Sequence, residues 1–349
     1  MARNMTAKKK AIIHIGGHKT GTSAIQAFCV LNAMRLAQIG IIYPLELLSN
    51  PDMVGAQAHH GLVNLFMDAT SFWKSYNLRP KKMQDEDIVS YLKSLPRGKN
   101  ILLSSENLVW LDNKSIAALT EYLTGFDVHV VLYARRQDDA LQALYQTVVT
   151  WIGETRQFND YVSDEVRSVF EYDKIAETWQ SSVGEGNVTV RAYEQSQLYQ
   201  RDSVKDFFQV IQEILQIKLD ISDWETCPGT INRGLPAHIT GLIRYHNALV
   251  TRKVVVPALR LMAKLLYKNS RGSYEILSPV ERKDLLESFA ISNGNLARKF
   301  LGRKDGVLFY DLTIKQTEAE WHQKYNGNGS LLMLLVRDLC SKFKLCRQA

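Results

Sequence analysis

Short apolar runs alternate with amphipathic stretches along the first two hundred residues. Ala11-Ile12-Ile13-His14-Ile15 is almost continuously apolar and stops at Gly16-Gly17. Residues 100–104, 128–134 and 187–193 have the same character, the last with β-branched Val188, Thr189 and Val190. Such runs predict strands buried on both faces. Residues 22–38, 85–95 and 114–123 have helical spacing, and 137–151 and 160–180 read as helix-rich. Gly40-Ile41-Ile42-Tyr43-Pro44 reads as a short extended piece ended by proline. Strands alternating with helices predict a parallel sheet covered on both faces, with ligands at the carboxyl ends of its strands. From about residue 200 the pattern is almost wholly helical, with a loop near 227–235. No clean linker interrupts it. The expected organisation is a loose basic tail over 1–10 and one domain over 11–349, an α/β core to residue 200 and a mainly helical half over 201–349.

Composition narrows the classes. The chain has 349 residues, 46% hydrophobic and 23% charged, enough for a sizeable core. Its net charge of +7 suits an anionic ligand. No zinc-finger spacing, RNA-binding aromatic signature or repeat accompanies that charge, so no nucleic-acid partner is expected. Cys29, Cys227, Cys340 and Cys346 are too few and too scattered for a disulfide framework or a metal site, which predicts a reduced, cytoplasmic protein. The first ten residues are polar and basic, and the apolar run after them is too short for a signal segment. No stretch reaches transmembrane length without charges.

The richest stretch for chemistry is 11–26, AIIHIGGHKTGTSAIQ. It reads as strand, glycine turn and helix N-terminus, whose open N–H groups and positive dipole end bind phosphate. Gly16, Gly17 and Gly21 let the main chain approach a ligand, and Lys19 adds a point charge. The nucleotide triphosphatase loop G-x-x-x-x-G-K-[ST] is excluded, because Lys19 precedes Gly21. Other candidates also follow strands. Arg135-Arg136 follows 128–134, and a guanidinium pairs with phosphate in a fork. Ser105-Glu106-Asn107 follows 100–104, and Tyr193-Glu194 ends 187–193. His59-His60 is a second candidate base, although paired histidines in a loop are more often surface residues.

His18-Lys19-Thr20-Gly21-Thr22-Ser23 resembles the 5′-phosphosulfate loop of sulfotransferases, [PH]-K-[TS]-G-T-[TS], at every position. Arg135 and Tyr145 fall where the family's 3′-phosphate motif has its arginine and tyrosine, but Ala143 stands at the usual serine. Arg136 or a C-terminal loop is a possible compensation for that lost hydroxyl. Glu106 matches the catalytic base of glycan sulfotransferases, and Tyr193 the adenine-contacting tyrosine of cytosolic ones. The resemblance spans roughly 11–310, where 293–309 echoes bacterial members. It implies a P-loop three-layer α/β fold and a sulfotransferase using 3′-phosphoadenosine 5′-phosphosulfate. Gly17, His18, Lys19, Thr20, Gly21, Thr22, Ser23, Arg135 and Tyr193 would hold that donor; Lys19 and Glu106 would be catalytic. The acceptor would be a hydroxyl of a glycan, glycolipid or small metabolite, and the scheme calls for no metal. The rival readings are a non-catalytic nucleotide- or glycan-binding protein of the same fold, an ATP-using kinase and, on net charge alone, a nucleic-acid binder.

Residues 252–272 carry six basic residues and no acid. Arg260, Lys264, Lys268 and Arg271 make one helical stripe beside Leu259, Met262 and Leu266. Two readings stand: a helix on an anionic membrane or along the path of an anionic acceptor, or, more commonly, a core-packed helix with a solvated basic face.

Overall fold

The apolar runs form β1 (Lys10–His14), β3 (Asn100–Ser104), β4 (Asp127–Ala134) and β5 (Val188–Ala192), and the extended piece before Pro44 contributes β2 (Ile41–Ile42). All pair in parallel in the order β2-β3-β1-β4-β5, with Ile12 opposite both Leu102 and His129. The computed structural model describes residues 8–50, 57–71, 73–74, 84–226, 235, 237–249, 256–257, 259, 275–314 and 317.

These residues group into two compact units. The first, drawn from 1–135, 168–231 and 291–310, holds the sheet. Most of β1, β3 and β4 is buried on both faces, as continuous apolar runs require, whereas β5 at the sheet edge alternates buried Val188, Val190 and Ala192 with half-buried Thr189 and Arg191. On one face Ile12, Leu102, Val131 and Tyr133 pack with Phe28 and Cys29 of α1 (Thr22–Leu31) and with Phe207, Phe208 and Ile211 of α10 (Ser203–Leu215). Helix α10 is capped by Asp202, whose carboxylate accepts from the N–H groups of Val204 and Lys205. On the other face α9 (Tyr172–Val183) packs on β4 and β5 and buries Trp179, with α5 (Asn113–Tyr122) beyond it. The predicted helix over 22–38 is two helices, α1 and α2 (Ala33–Gln38). At the break the Asn32 side-chain amide donates to the carbonyls of Phe28 and Glu225, beside the backbone bond from the Asn32 N–H to Phe28. This unit also contains α3 (His60–Phe66) and α4 (Asp85–Ser94), the latter with a reciprocal capping box between Gln84 and Asp87.

The second unit, drawn from 136–167, 232–290 and 311–349, contains α6 (Gln137–Thr147), α7 (Phe158–Tyr161), α11 (Ala237–Asn247) and α12 (Pro279–Ser288). Helices α8 (Asp164–Ser168) and α13 (Ala290–Leu301) run across the boundaries between units. Buried Asp138 accepts from Arg136 Nη2 at 2.7 Å and from Arg282 Nε at 2.8 Å. Arg136 also donates to the Asp311 carbonyl at 2.7 Å. Its guanidinium is therefore committed inside this unit and does not stand in for the serine replaced by Ala143. Tyr145 is a core residue here, its hydroxyl donating to the Arg156 carbonyl at 2.7 Å.

No helix among the described residues is long and apolar enough to cross a membrane. The basic stretch 252–272 lies outside the described residues apart from 256–257 and 259.

Candidate functional site

At the end of β1 the chain turns from sheet into α1 through seven residues. The Ile15 N–H donates to the Val131 carbonyl at 3.0 Å and the Gly17 N–H to the Tyr133 carbonyl at 2.9 Å, so the turn leaves the sheet pressed against β4. A Cβ on Gly17 would lie 2.3 Å from the Tyr133 carbonyl oxygen, a backbone atom that cannot rotate away. Gly17→Ala is thus expected to destabilise the first unit by about 1–3 kcal/mol through overpacking. Denaturant unfolding checks this; a variant as stable as wild type would show that the turn lifts freely from β4. Gly21, at φ 77°, is the N-cap of α1, and a Cβ there would meet Ser203 Oγ and the Tyr193 hydroxyl.

Lys19 is in the left-handed region at φ 65°, a conformation that costs a non-glycine residue about 1–2 kcal/mol. The Thr20 hydroxyl closes the turn by donating to the Gly17 carbonyl at 2.6 Å. Among the described residues the N–H groups of Lys19, Gly21 and Thr22 donate to no acceptor. With the helix dipole behind them they form an anion cradle. The Lys19 ammonium has no hydrogen-bond or ion-pair partner among the described residues. Burial lowers its pKa to about 8, against an upward pull from Glu106 and a further downward push from Arg135.

Arg135, at the end of β4, joins this turn. Its Nη1 donates to the Lys19 carbonyl at 2.7 Å, and its guanidinium lies 5.9 Å from the centre of the Tyr193 ring. The Tyr172 hydroxyl donates to the Arg135 carbonyl at 3.0 Å and accepts from its N–H, which sets the backbone at the strand end. Tyr193, just beyond β5, is half-buried, and its N–H donates to the Ala134 carbonyl at 2.7 Å. Behind it, buried Asp206 of α10 accepts from the Tyr133 hydroxyl at 2.7 Å and from Arg191 Nε at 3.1 Å. That network locks α10 to β4 and β5 and places Ser203 at Gly21.

Glu106 opens a 3-10 turn, Glu106–Trp110, directly after β3. Its Oε2 accepts from Gln26 Nε2 at 3.1 Å. Burial raises its pKa, but His60, its own backbone N–H, the Gln26 amide and His18 outweigh that, and the carboxyl titrates below the ordinary range. His59 and His60 are buried, in contrast to the surface loop expected. His59 has both nitrogens occupied, Nδ1 accepting from the Ser104 N–H at 2.9 Å and Nε2 facing the Pro44 carbonyl at 2.9 Å. It is a clasp between β3 and the segment before it and has no site left for base chemistry. His60 Nδ1 pairs with Ser105 Oγ at 2.8 Å. Burial depresses its pKa, against the opposing charge of Glu106, so it is neutral at neutral pH.

The structure brings the sequence-predicted residues Gly17–Ser23, Glu106, Arg135 and Tyr193 together around the carboxyl ends of β1, β3, β4 and β5. The His18 side chain departs from expectation. It is buried against Trp110 (5.3 Å), Phe170 (6.2 Å) and Trp73 (6.3 Å), and Trp73 stacks on Trp110 at 4.8 Å. Burial lowers its pKa to about 4, so its ring supplies an aromatic wall, not charge. Sequence reading missed this wall, as well as Gln26, Tyr172 and Ser203. The usable signal for Gln26 was its place one turn after Thr22 on the same face of α1. An open depression of about 1120 Å³ lies at the opposite, amino-terminal end of the strands, lined by Lys9, Gly40, Asn100 and Asp127. It contains none of these residues.

No known family model matches the chain, and no curated protein matches it. Among solved structures it is similar to a sulfotransferase from Alicyclobacillus acidocaldarius, 15% identical, covering 72% of this chain and 99% of that one at a TM-score of 0.42. It is also similar to the sulfotransferase domain of the Synechococcus PCC 7002 olefin synthase, 12% identical, covering 83% and 98% at a TM-score of 0.34. At these TM-scores the likeness assigns no chemistry to the chain.

Proposed function

We propose that the protein is a sulfotransferase that moves a sulfuryl group from 3′-phosphoadenosine 5′-phosphosulfate to a hydroxyl of a glycan, glycolipid or small molecule. One observation carries this reading. An N–H cradle, an ammonium with no partner among the described residues and an ionised carboxylate converge where strand, turn and helix meet. Glycine at 17 and 21 lets the turn take this path, since a Cβ would meet the Tyr133 carbonyl at the first and Ser203 and the Tyr193 hydroxyl at the second.

In this scheme the N–H groups over 19–22 hold the 5′-phosphate, with the Thr22 and Ser23 hydroxyls adding donors. Lys19 stabilises the negative charge that grows on the bridging oxygen as the sulfur–oxygen bond breaks. Glu106 accepts the proton of the attacking hydroxyl as its oxygen bonds to sulfur. Arg135 holds the 3′-phosphate, and Tyr193 faces the adenine. The turn fixes Lys19, and Gln26 fixes Glu106, so alignment supplies much of the effect. The wall of His18, Trp110 and Phe170 excludes water on the acceptor side.

Calorimetric titration with 3′-phosphoadenosine 5′-phosphate, ATP and AMP tests the donor site. The bisphosphate is expected to bind in preference to both others. Arg135→Ala should weaken it by about 2 kcal/mol, the scale of a charged hydrogen-bonded pair, or roughly 30-fold. Equal binding of ATP would favour the kinase reading. Bisphosphate binding with no transfer to a broad hydroxyl panel would favour a binding protein.

A further inference from the structure

We propose that Gln26 is the positioning residue for Glu106, and that it couples the carboxylate to the phosphate-binding turn through one helix. This rests on the reading of Glu106 as the base.

Gln26 is 1% exposed and lies on α1, four residues after Thr22. Residues four apart on a helix share a face, so the cradle hydroxyl and this amide ride on the same rigid element. Both N–H bonds of the amide are committed. Nε2 donates to Glu106 Oε2 at 3.1 Å and to Ser104 Oγ at 3.2 Å. Ser104 Oγ in turn pairs with His14 Nδ1 at 2.9 Å, in a fully buried position on β1. An amide anchored at both hydrogens cannot turn, so the carboxylate oxygen it holds is fixed in direction. The donor is also neutral. A lysine here would form an ion pair and weaken Glu106 as a proton acceptor; a glutamate would repel it. An amide holds the carboxylate ionised without adding a charge.

The groups facing Glu106 besides Gln26 are His60 on α3, His18 and Lys19 on the turn, His14 on β1 and Tyr43 after β2. Burial keeps the three histidines neutral near neutral pH, with His14 and His18 lowered to about 4. Lys19 alone among them is charged there.

The test is the titration of the Glu106 carboxyl carbon by NMR on the full chain, assigned by its loss in Glu106→Gln. Gln26→Leu keeps the volume and removes both donors; Gln26→Glu keeps the shape and adds a like charge. The carboxyl should titrate higher in Gln26→Leu and higher still in Gln26→Glu, by about a unit or more. The acidic limb of sulfuryl transfer should move with it. Transfer by Gln26→Leu should fall up to about 100-fold, the scale of a misaligned reacting group, with bisphosphate affinity within twofold of wild type. An unmoved Glu106 titration in folded Gln26→Leu and Gln26→Glu would overturn the proposal. So would a rate loss with the acidic limb unchanged, or one explained by lost bisphosphate binding. Should Gln26→Leu fail to fold, Gln26→Met takes its place. If wild type transfers no sulfuryl group to any acceptor, the functional reading fails, while the Glu106 titration still decides whether Gln26 positions it.

Discussion

Lys19→Met is expected to make the first unit more stable and to lower sulfuryl transfer by about 10²–10³-fold, the effect of deleting one preorganised charge at a leaving oxygen. The two effects share one cause. The ammonium is held partly out of water, which brings its pKa from 10.5 to about 8. A shift of that size corresponds to roughly 3 kcal/mol of cost for the charged form, and partial exposure reduces it to about 1–3 kcal/mol. The sign follows from proton counting. Below pH 8 the lysine is charged in both folded and unfolded chains, and the folded one bears the full cost. Between pH 8 and 10.5 the unfolded chain binds more protons, so wild-type stability rises with pH. The advantage of Lys19→Met should therefore be largest below pH 8 and close towards pH 10.5. Native-state hydrogen exchange of the β1 amides, measured across that range, reads it directly. A variant less stable than wild type below pH 8 would mean that the ammonium is well solvated or paired, and that the turn is not built around a desolvated charge. In wild type, bisphosphate affinity should weaken above about pH 8 as Lys19 loses its proton.

Glu106→Gln is expected to lower transfer by about 10²–10⁴-fold, the range for loss of a general base, while leaving the bisphosphate bound. The wild-type carboxyl titrates below the usual 4.5, so it is ionised through the neutral range and the acidic limb of transfer lies below that value. In Glu106→Gln that limb should vanish. A second consequence separates this role from a structural one. Glu106 holds the Lys19 pKa up, and without it the ammonium should lose its proton at lower pH. The alkaline fall in bisphosphate affinity should therefore move below about pH 8 in Glu106→Gln. Near-normal transfer by this variant would pass the role of base to one of the neutral imidazoles facing the carboxylate, His60, His18 or His14. His59 is not available for it, since both its nitrogens are bonded.

Much of the fold was legible in the chain because its signals are local. An apolar run ended by Gly16-Gly17 is a buried strand meeting a turn whether or not the rest of the sheet is known. The same holds for the strands at 100–104 and 128–134, each observed within a residue of its expected span. Lys19, Glu106 and Arg135 could be named because parallel sheets put ligands at strand ends, so position after a strand already says where a side chain goes. The helix expected over 22–38 was misjudged for a local reason too: Asn32 bonds backward to Phe28 and sideways to Glu225, and only the first of these is written nearby.

What tertiary structure decided is which polar groups meet. Gln26 reaches Glu106 across 80 positions and His60 reaches Ser105 across 45. Neither pairing has a period or a motif, because it depends on which strands neighbour each other and how far each helix is rotated. Arg135 and Arg136 are adjacent and chemically identical, yet one joins the phosphate turn and the other is claimed by Asp138 in the second unit. Successive residues leaving a strand point to opposite sides, and only the packed structure says what waits on each. His59-His60 shows the same limit. Their burial goes with distant hydrogen-bond partners, Ser104 and Ser105 at the end of β3 and the Pro44 carbonyl, which no local polarity records. Periodicity and strand-end position along the chain determined the elements and the kinds of group at the site. Long-range packing determined their pairings, and with them which carboxylate is held, which lysine is desolvated and which arginine meets the turn after β1.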